Sequence, residues 1–331
     1  MNRQGGRLRK YLLLRVLQFV PLFFMILIVT YSMILVAPGD PVLYLVGSYG
    51  ASEEYLNMMR QSLGLNRPWY EQLLGYMSRV IQGDLGYSLY FRQPVFSIIV
   101  QRLPVTMLLV TVAFVFSSII GIILGVEAAR RPFGLLDKMF TSFSVIGHSI
   151  PVFWTGMLLI LVFAVMLRWF PPGGVVDIGR DLNGFEYVVS IFRHLPLPTI
   201  ALASYLTPLI ARITRTSMLE TLRQDFITTA RMKGLSERDV VYKHGLRNAL
   251  LPVLTALSLQ LGQLIAGATL TETVFSWPGL GRLTFDSITR RDWPLILGIF
   301  VFVSIGVMAI SLITDLLYAY VDPRIEISRK S

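Results

Sequence analysis

The chain has 331 residues, 54% of them hydrophobic and 15% charged, with a net charge of +10 and no cysteine. A soluble globular chain is nearer about a quarter charged, so an ordinary soluble domain is excluded. The missing cysteine excludes a disulfide framework, a zinc–thiolate site and an iron–sulfur cluster. Runs free of Asp, Glu, Lys and Arg cover residues 16–39, 103–126, 139–167, 248–271 and 293–314. Each reaches the ~20 residues that a helix needs to cross a bilayer core of about 30 Å. A sixth run, 195–211, is shorter, holds Pro196, Pro198 and Pro208, and becomes long enough if it continues past Arg212. Continuous rather than alternating apolar runs favour helices over a closed barrel. The expected fold is therefore all-α and membrane-integral, with six spans.

In chain order, the first run follows Arg7, Arg9, Lys10 and Arg15 like a signal peptide, but it is too long for one and is read as a retained span. Residues 40–99 form an outer segment. Ser52 begins a capped amphipathic helix that ends at Gly64. A second helix, 68–81, carries Trp69, Tyr70, Leu73, Leu74 and Met77 partly on one face, as suits a membrane–water interface. A turn follows at Gly83 to Gly86. Spans two and three are joined inside by 127–138. A long outer loop, 168–194, precedes span four, and 272–292 joins spans five and six outside. With both termini cytoplasmic, the inner stretches hold 19 of the 30 lysines and arginines. That is the positive-inside bias, so the basic character reflects topology and not nucleic acid. The N-terminal part, 1–99, and the five-span core, 100–331, are read as two units of one membrane domain.

The most informative stretch is polar and basic. It lies within the cytoplasmic segment of about 212–250, between spans four and five, and runs from Asp225 to Pro252. It reads as a short helix, a turn at Gly234 and a second helix. Thr228, Thr229 and Ala230 put small side chains before the turn. Gly234 permits a positive φ or a close backbone approach, and a side chain there is expected to hold the two short helices apart. Ser236 with Asp239 has the spacing of an N-cap and an acidic N3 residue. Arg231, Lys233, Arg238, Lys243 and Arg247 keep the segment cytoplasmic and can meet acidic groups on a partner. A rigid handle outside the lipid is what a soluble motor needs to push a helix bundle.

The run TARMKGL from Thr229 to Leu235, preceded by Asp225 and Phe226 and followed by His244, resembles the coupling loop of ABC importer permeases. The version is that of the dipeptide/oligopeptide family. Further landmarks appear in family order: LVAPGDP from Leu35, GDLGYS from Gly83, SIPVFW from Ser149, ETVFSWPGLG from Glu272, and Asp322-Pro-Arg324. The resemblance covers nearly the whole chain and points to the DppB/OppB-like half of the permease pair. It implies a type I ABC importer permease fold with a cytoplasmic coupling helix, in the cell membrane. It implies a second permease subunit as heterodimer partner, two ABC ATPase subunits that hold ATP and Mg, and an extracytoplasmic substrate-binding protein. Short peptides are the leading substrate, with oligosaccharides or a nickel chelate as alternatives. The coupling residues it implies are Asp225, Thr228, Thr229, Ala230, Arg231, Lys233, Gly234, Leu235 and His244. Thr228 and Thr229 stand where the broader family has Glu-Ala, as in this subgroup; Met232 and His148 depart from it.

What is absent agrees with this reading. None of the five lysines has the Gly-rich context of a phosphate-binding loop, so the chain is expected to be non-catalytic and to borrow its ATPase. His148 and Trp154, in span three, are the candidates for the translocation pathway, since an intramembrane ionisable residue marks an interior or a cavity. A neutral packing histidine is the bland alternative for His148. His148, His194 and His244 are too scattered across the topology to share a metal. A secondary transporter needs ionisable groups along the midplane, and a channel needs no coupling loop.

Overall fold

The computed structural model describes residues 2–36, 42, 52–62, 64–88, 90–135, 137–138, 147, 149–177, 179 and 183–321. Its elements in chain order are α1 (Asn2–Val36), α2 (Glu53–Ser62), α3 (Trp69–Ile81), β1 (Tyr87–Ser88), β2 (Gln93–Pro94), α4 (Val95–Arg130) and α5 (Val152–Leu159, continued by a π-helical stretch Ile160–Met166). After these come α6 (Phe185–His194), α7 (Pro196–Thr221), α8 (Asp225–Met232), α9 (Glu237–Asp239, continued by a π-helical stretch Val240–Gly245), α10 (Leu246–Val274), α11 (Leu280–Arg290) and α12 (Trp293–Val321). Among the described residues, Val95–Arg130, Pro196–Thr221 and Trp293–Thr314 are long and apolar enough to cross a membrane, and Leu17–Met33 and Val152–Met166 are shorter apolar helices.

The chain divides into two compact units. The first comprises residues 1–104 and 282–313. Its core joins Leu27 of α1, Tyr76 and Val80 of α3, and Leu297 and Val301 of α12. Tyr31 stacks on Tyr76 and donates to Gln72 Oε1 at 3.0 Å. The expected cap of α2 is present: the Tyr55 N–H donates to Ser52 Oγ at 3.3 Å. Trp69, Tyr70 and Leu74 lie exposed on α3, as interface anchors would. The segment after the Gly83–Gly86 turn forms a small antiparallel hairpin, Tyr87 facing Pro94. Its Ser88 hydroxyl donates to Asp292 Oδ2 at 2.5 Å. Asp292 also accepts from the Leu295 N–H at 3.4 Å, the N3 position of α12. One buried carboxylate thus caps a long helix and anchors the hairpin.

The second unit comprises residues 105–281 and 314–331. Its core runs along α4, α7 and α10, through Leu109, Ala113, Leu206, Ile210, Val253 and Leu264. The most apolar stretch of α7 has a mean hydropathy of only 1.2 and is 67% buried inside the protein, whereas that of α4 has 2.7 and 28%. A helix surrounded by other helices has less need of a lipid-soluble surface, which explains why this run read as the weakest span. Helix α4 crosses α7 closely: a Cβ on Gly125 would lie 2.5 Å from the Ala211 carbonyl oxygen and 2.6 Å from Thr214 Cβ, and one on Gly121 would lie 2.8 Å from Ile210 Cβ. This is the small-x-x-x-small spacing that lets membrane helices approach. Beyond α10, Thr106 Oγ1 donates to the buried Glu272 at 2.7 Å and accepts from the Leu280 N–H at 2.7 Å. The Trp277 indole donates to the Val105 carbonyl at 2.9 Å. These bonds tie the ETVFSWPGLG stretch to α4 at Val105 and Thr106.

Candidate functional site

The segment from Asp225 to Gly245 folds as two arms. The first is α8, with Asp225 in its first turn, where a carboxylate favours the helix dipole. The second differs from the short separate helix expected. It starts at α9, and its π-helical stretch Val240–Gly245 runs on into α10 with Gly245 still helical. The second arm is therefore the N-terminal end of a long helix, and Pro252 lies inside that helix rather than at its start. The Ser236 cap is formed as expected: its hydroxyl oxygen accepts from the Asp239 N–H at 3.1 Å.

The turn between the arms centres on Gly234, whose φ is +74°. The expected left-handed backbone is present, but the expected steric role is not. A Cβ at Gly234 would meet nothing within 4 Å. Its requirement is conformational, about 1–2 kcal/mol for a residue with a Cβ. Asn tolerates this region and β-branched residues do not. Gly234→Asn is therefore expected to retain transport close to wild type, and Gly234→Val to lose a large part of it. Uptake rates of the two variants, measured side by side, check this; equal loss in both would mean that φ is not the constraint.

Two sets of contacts make the arms rigid. Ala230 and Ile227 of α8 pack on Val240 of the second arm, with Leu222 against them. Ala230, read from the sequence as a small coupling residue, is 6% exposed and packed within its own chain. Across the turn, the Arg231 guanidinium donates to both carboxylate oxygens of Glu237, at 3.2 and 2.8 Å. Arg231, read from the sequence as solvated or partner-facing, also closes the turn. That contact holds the Glu237 carboxyl below the usual carboxylate range and raises Arg231. Both side chains are about half exposed, so the pair contributes little stability and mainly fixes geometry. The outward face carries Thr228, Thr229 and Lys233, with Phe226, Met232 and Leu235 as exposed apolar groups, Met232 at 82%. His244 is half-buried on the second arm, and its carbonyl accepts from the Asn248 side chain at 2.9 Å.

The second arm is seated on the bundle. Val241 and Ala249 pack on Val126 and Ala129 of α4 and Met218 of α7. The Tyr242 hydroxyl donates to Glu127. A Cβ on Gly245 would lie 3.1 Å from the Leu222 side chain, so a push on the arm meets no slack there. Nearby, Asp137 is bound by Arg215 of α7, Nε to Oδ1 at 2.5 Å and Nη2 to Oδ2 at 2.8 Å, and accepts from the Phe133 N–H at 2.8 Å. The turn after α4 is thereby fastened to α7. Neither residue was singled out from the sequence, since the partners lie 78 positions apart. Of the pathway candidates, Trp154 lies in the first turn of α5, 47% exposed, and His148 falls outside the described residues.

Two family models match, "Binding-protein-dependent transport system inner membrane component" over residues 117–327 and its N-terminal counterpart over 8–110. The chain is 39% identical over 324 residues to the di/tripeptide transport system permease protein DppB of Pseudomonas aeruginosa, covering 94% of this chain and 96% of that protein. It is 41% identical over 320 residues to the oligopeptide transport system permease protein AppB of Bacillus subtilis, covering 96% and 99%. In fold it is similar to the inward-facing MetNI methionine ABC transporter, with a TM-score of 0.54, 20% identity, and coverage of 69% of this chain and 97% of that one. The continuous match of family models along the chain, the full-length relatives and the shared type I permease fold agree with the handle found between α7 and α10: this chain belongs to the binding-protein-dependent transport system inner-membrane components, the permease subunits of ABC importers.

Proposed function

We propose that this chain is one of two permease subunits in an importer of short peptides. The observation that carries the substrate class is its identity of about 40% to permeases named for di-, tri- and oligopeptides, sustained over nearly their whole length. In this reading a second permease completes the pathway, two ATPase subunits hold ATP and Mg²⁺, and an extracytoplasmic binding protein delivers the cargo. The chain itself hydrolyses nothing. It crosses the cell membrane six times with both termini cytoplasmic, and the segment at about 212–250 faces the ATPases.

The handle's build supports this role. Its inner faces are committed to the chain's own core, and its outer face presents Phe226, Met232 and Leu235 beside Lys233. That outer face is the part left for an ATPase subunit. Nucleotide binding shifts the permease between two states only by differential contact with them. A handle that is fixed internally and seated on α4 and α7 transmits such a bias without dissipating it in its own turn.

Two measurements test the reading. The four-component complex in liposomes should take up labelled tripeptide with ATP and binding protein; import of an oligosaccharide or a nickel chelate with no peptide uptake would replace the substrate. The topology is checked on this cysteine-free chain by single-cysteine labelling. Gln61→Cys should react with an impermeant maleimide added outside intact cells, and Lys233→Cys only after permeabilisation. The reverse pattern would invert the chain in the membrane.

A further inference from the structure

A cavity of about 350 Å³ lies within the second unit, between the start of α5, the middle of α7 and α10. Val152, Phe153, Leu206 and Leu270 supply apolar wall, and Tyr205 and Gln260 supply polar groups. Among the described residues lining it, none carries a charge or an imidazole. Gln260 Oε1 is shielded from solvent and accepts no hydrogen bond. A buried amide oxygen left in that state is destabilising, so its retention in an apolar wall calls for a donor that arrives from elsewhere.

We propose that this cavity is a transit subsite for the peptide cargo: the Gln260 side chain turns its shielded Oε1 into the cavity to accept an N–H of the passing chain, and the apolar walls receive one neutral side chain. The inference rests on the peptide-import reading above. Peptides combine backbone N–H donors with apolar side chains, which is the combination the lining asks for. A lipid tail matches the walls and offers no donor. The volume sits at the lower end of ligand pockets, about 300–1,000 Å³, which suits one residue of a peptide and not an entire oligopeptide. The uncharged lining suits passage, because conduction needs a site favourable enough to enter and weak enough to leave. A fixed charge would hold a zwitterionic peptide by its end.

The test uses the complete reconstituted importer with triglycine and trileucine as probes. Leu270 is half exposed, so Leu270→Trp fills the cavity from its open side without overpacking a closed core. It is expected to lower trileucine uptake relative to triglycine by about tenfold, with ATPase stimulation by the binding protein retained. Leu270→Ala enlarges the cavity and should move the same ratio the other way. Gln260→Leu removes the orphaned oxygen. A purely structural role predicts an equally or more stable complex with unchanged uptake, whereas the subsite predicts equal or higher stability with uptake of both peptides reduced about fivefold to tenfold. Unchanged ratios in both Leu270 variants, or wild-type uptake by Gln260→Leu, overturn the subsite while leaving peptide import standing. A wild-type complex that imports neither peptide overturns the import reading and the subsite with it.

Discussion

Arg215→Ala is expected to be the most damaging single truncation at the handle end of the bundle, at about 3 kcal/mol, the lower end of the cost of breaking a buried ion pair. The lower end applies because Arg215 keeps 23% of its side-chain exposure whereas Asp137 keeps 5%. Both carboxylate oxygens of Asp137 lose a charge-assisted bond in the variant, and the Phe133 N–H cannot compensate for a guanidinium. The turn after α4 then comes loose from α7, next to the seat of the second arm. Asp137→Leu combined with Arg215→Leu should recover much of the loss, since removing both charges also removes the cost of burying them. Thermal unfolding of the purified complex for wild type, both singles and the double measures this as a cycle. Additive singles would show that the pair does not act as a unit.

The same pair sets an acid dependence. Hydrogen bonds from Arg215, with a smaller contribution from the Phe133 N–H, hold the Asp137 carboxyl below its usual range. A carboxylate depressed in the folded state contributes its full stability above its unfolded value of about 3.9, and loses it as pH falls through the depressed folded value. The contribution is therefore constant around neutrality and disappears only in acid below about pH 4. Wild type should lose stability there, and Arg215→Ala should show a flatter profile in the same window.

Ala230→Glu is expected to abolish transport while leaving membrane insertion intact. Ala230 sits among Ile227, Val240 and Leu222, and a carboxylate cannot stay ionised in that setting without a cost of several kcal/mol, about 2–4 in practice. The cheapest escape is for α8 to lift off the second arm, which separates the outward face of α8 from the arm seated on the bundle. Thr228→Glu, on the exposed side of the same helix, provides the contrast. Both variants should reduce uptake, the first by releasing the arm and the second by placing a charge on the outward face. Only Ala230→Glu should become sensitive to limited proteolysis between α8 and α9. Wild-type uptake by Ala230→Glu would show that this small core does not hold the handle.

What the sequence determined by itself is whatever depends on neighbours along the chain. Charge-free runs imply helices in lipid because an unpaired backbone cannot be solvated there. Ser52 and Ser236 were legible as caps because each bonds an N–H three residues on. Gly234 was legible as a turn because positive φ is a local property. The family landmarks added the order of the parts. What only the tertiary structure decided depends on which face of a helix meets protein and which meets lipid or water, a distinction hydropathy does not carry. Hence Ala230 could be placed on a helix but not assigned to its own core, and α7 looked like a poor span when it is a protein-buried one. The Gly121 and Gly125 spacing lay in the sequence, yet only the crossing with α7 gives it meaning. The Asp137–Arg215 pair and the Gln260 cavity join residues dozens of positions apart. Their chemistry exists only once the helices have packed, because a hydrogen bond or a cavity wall is set by distance in space and not by spacing along the chain.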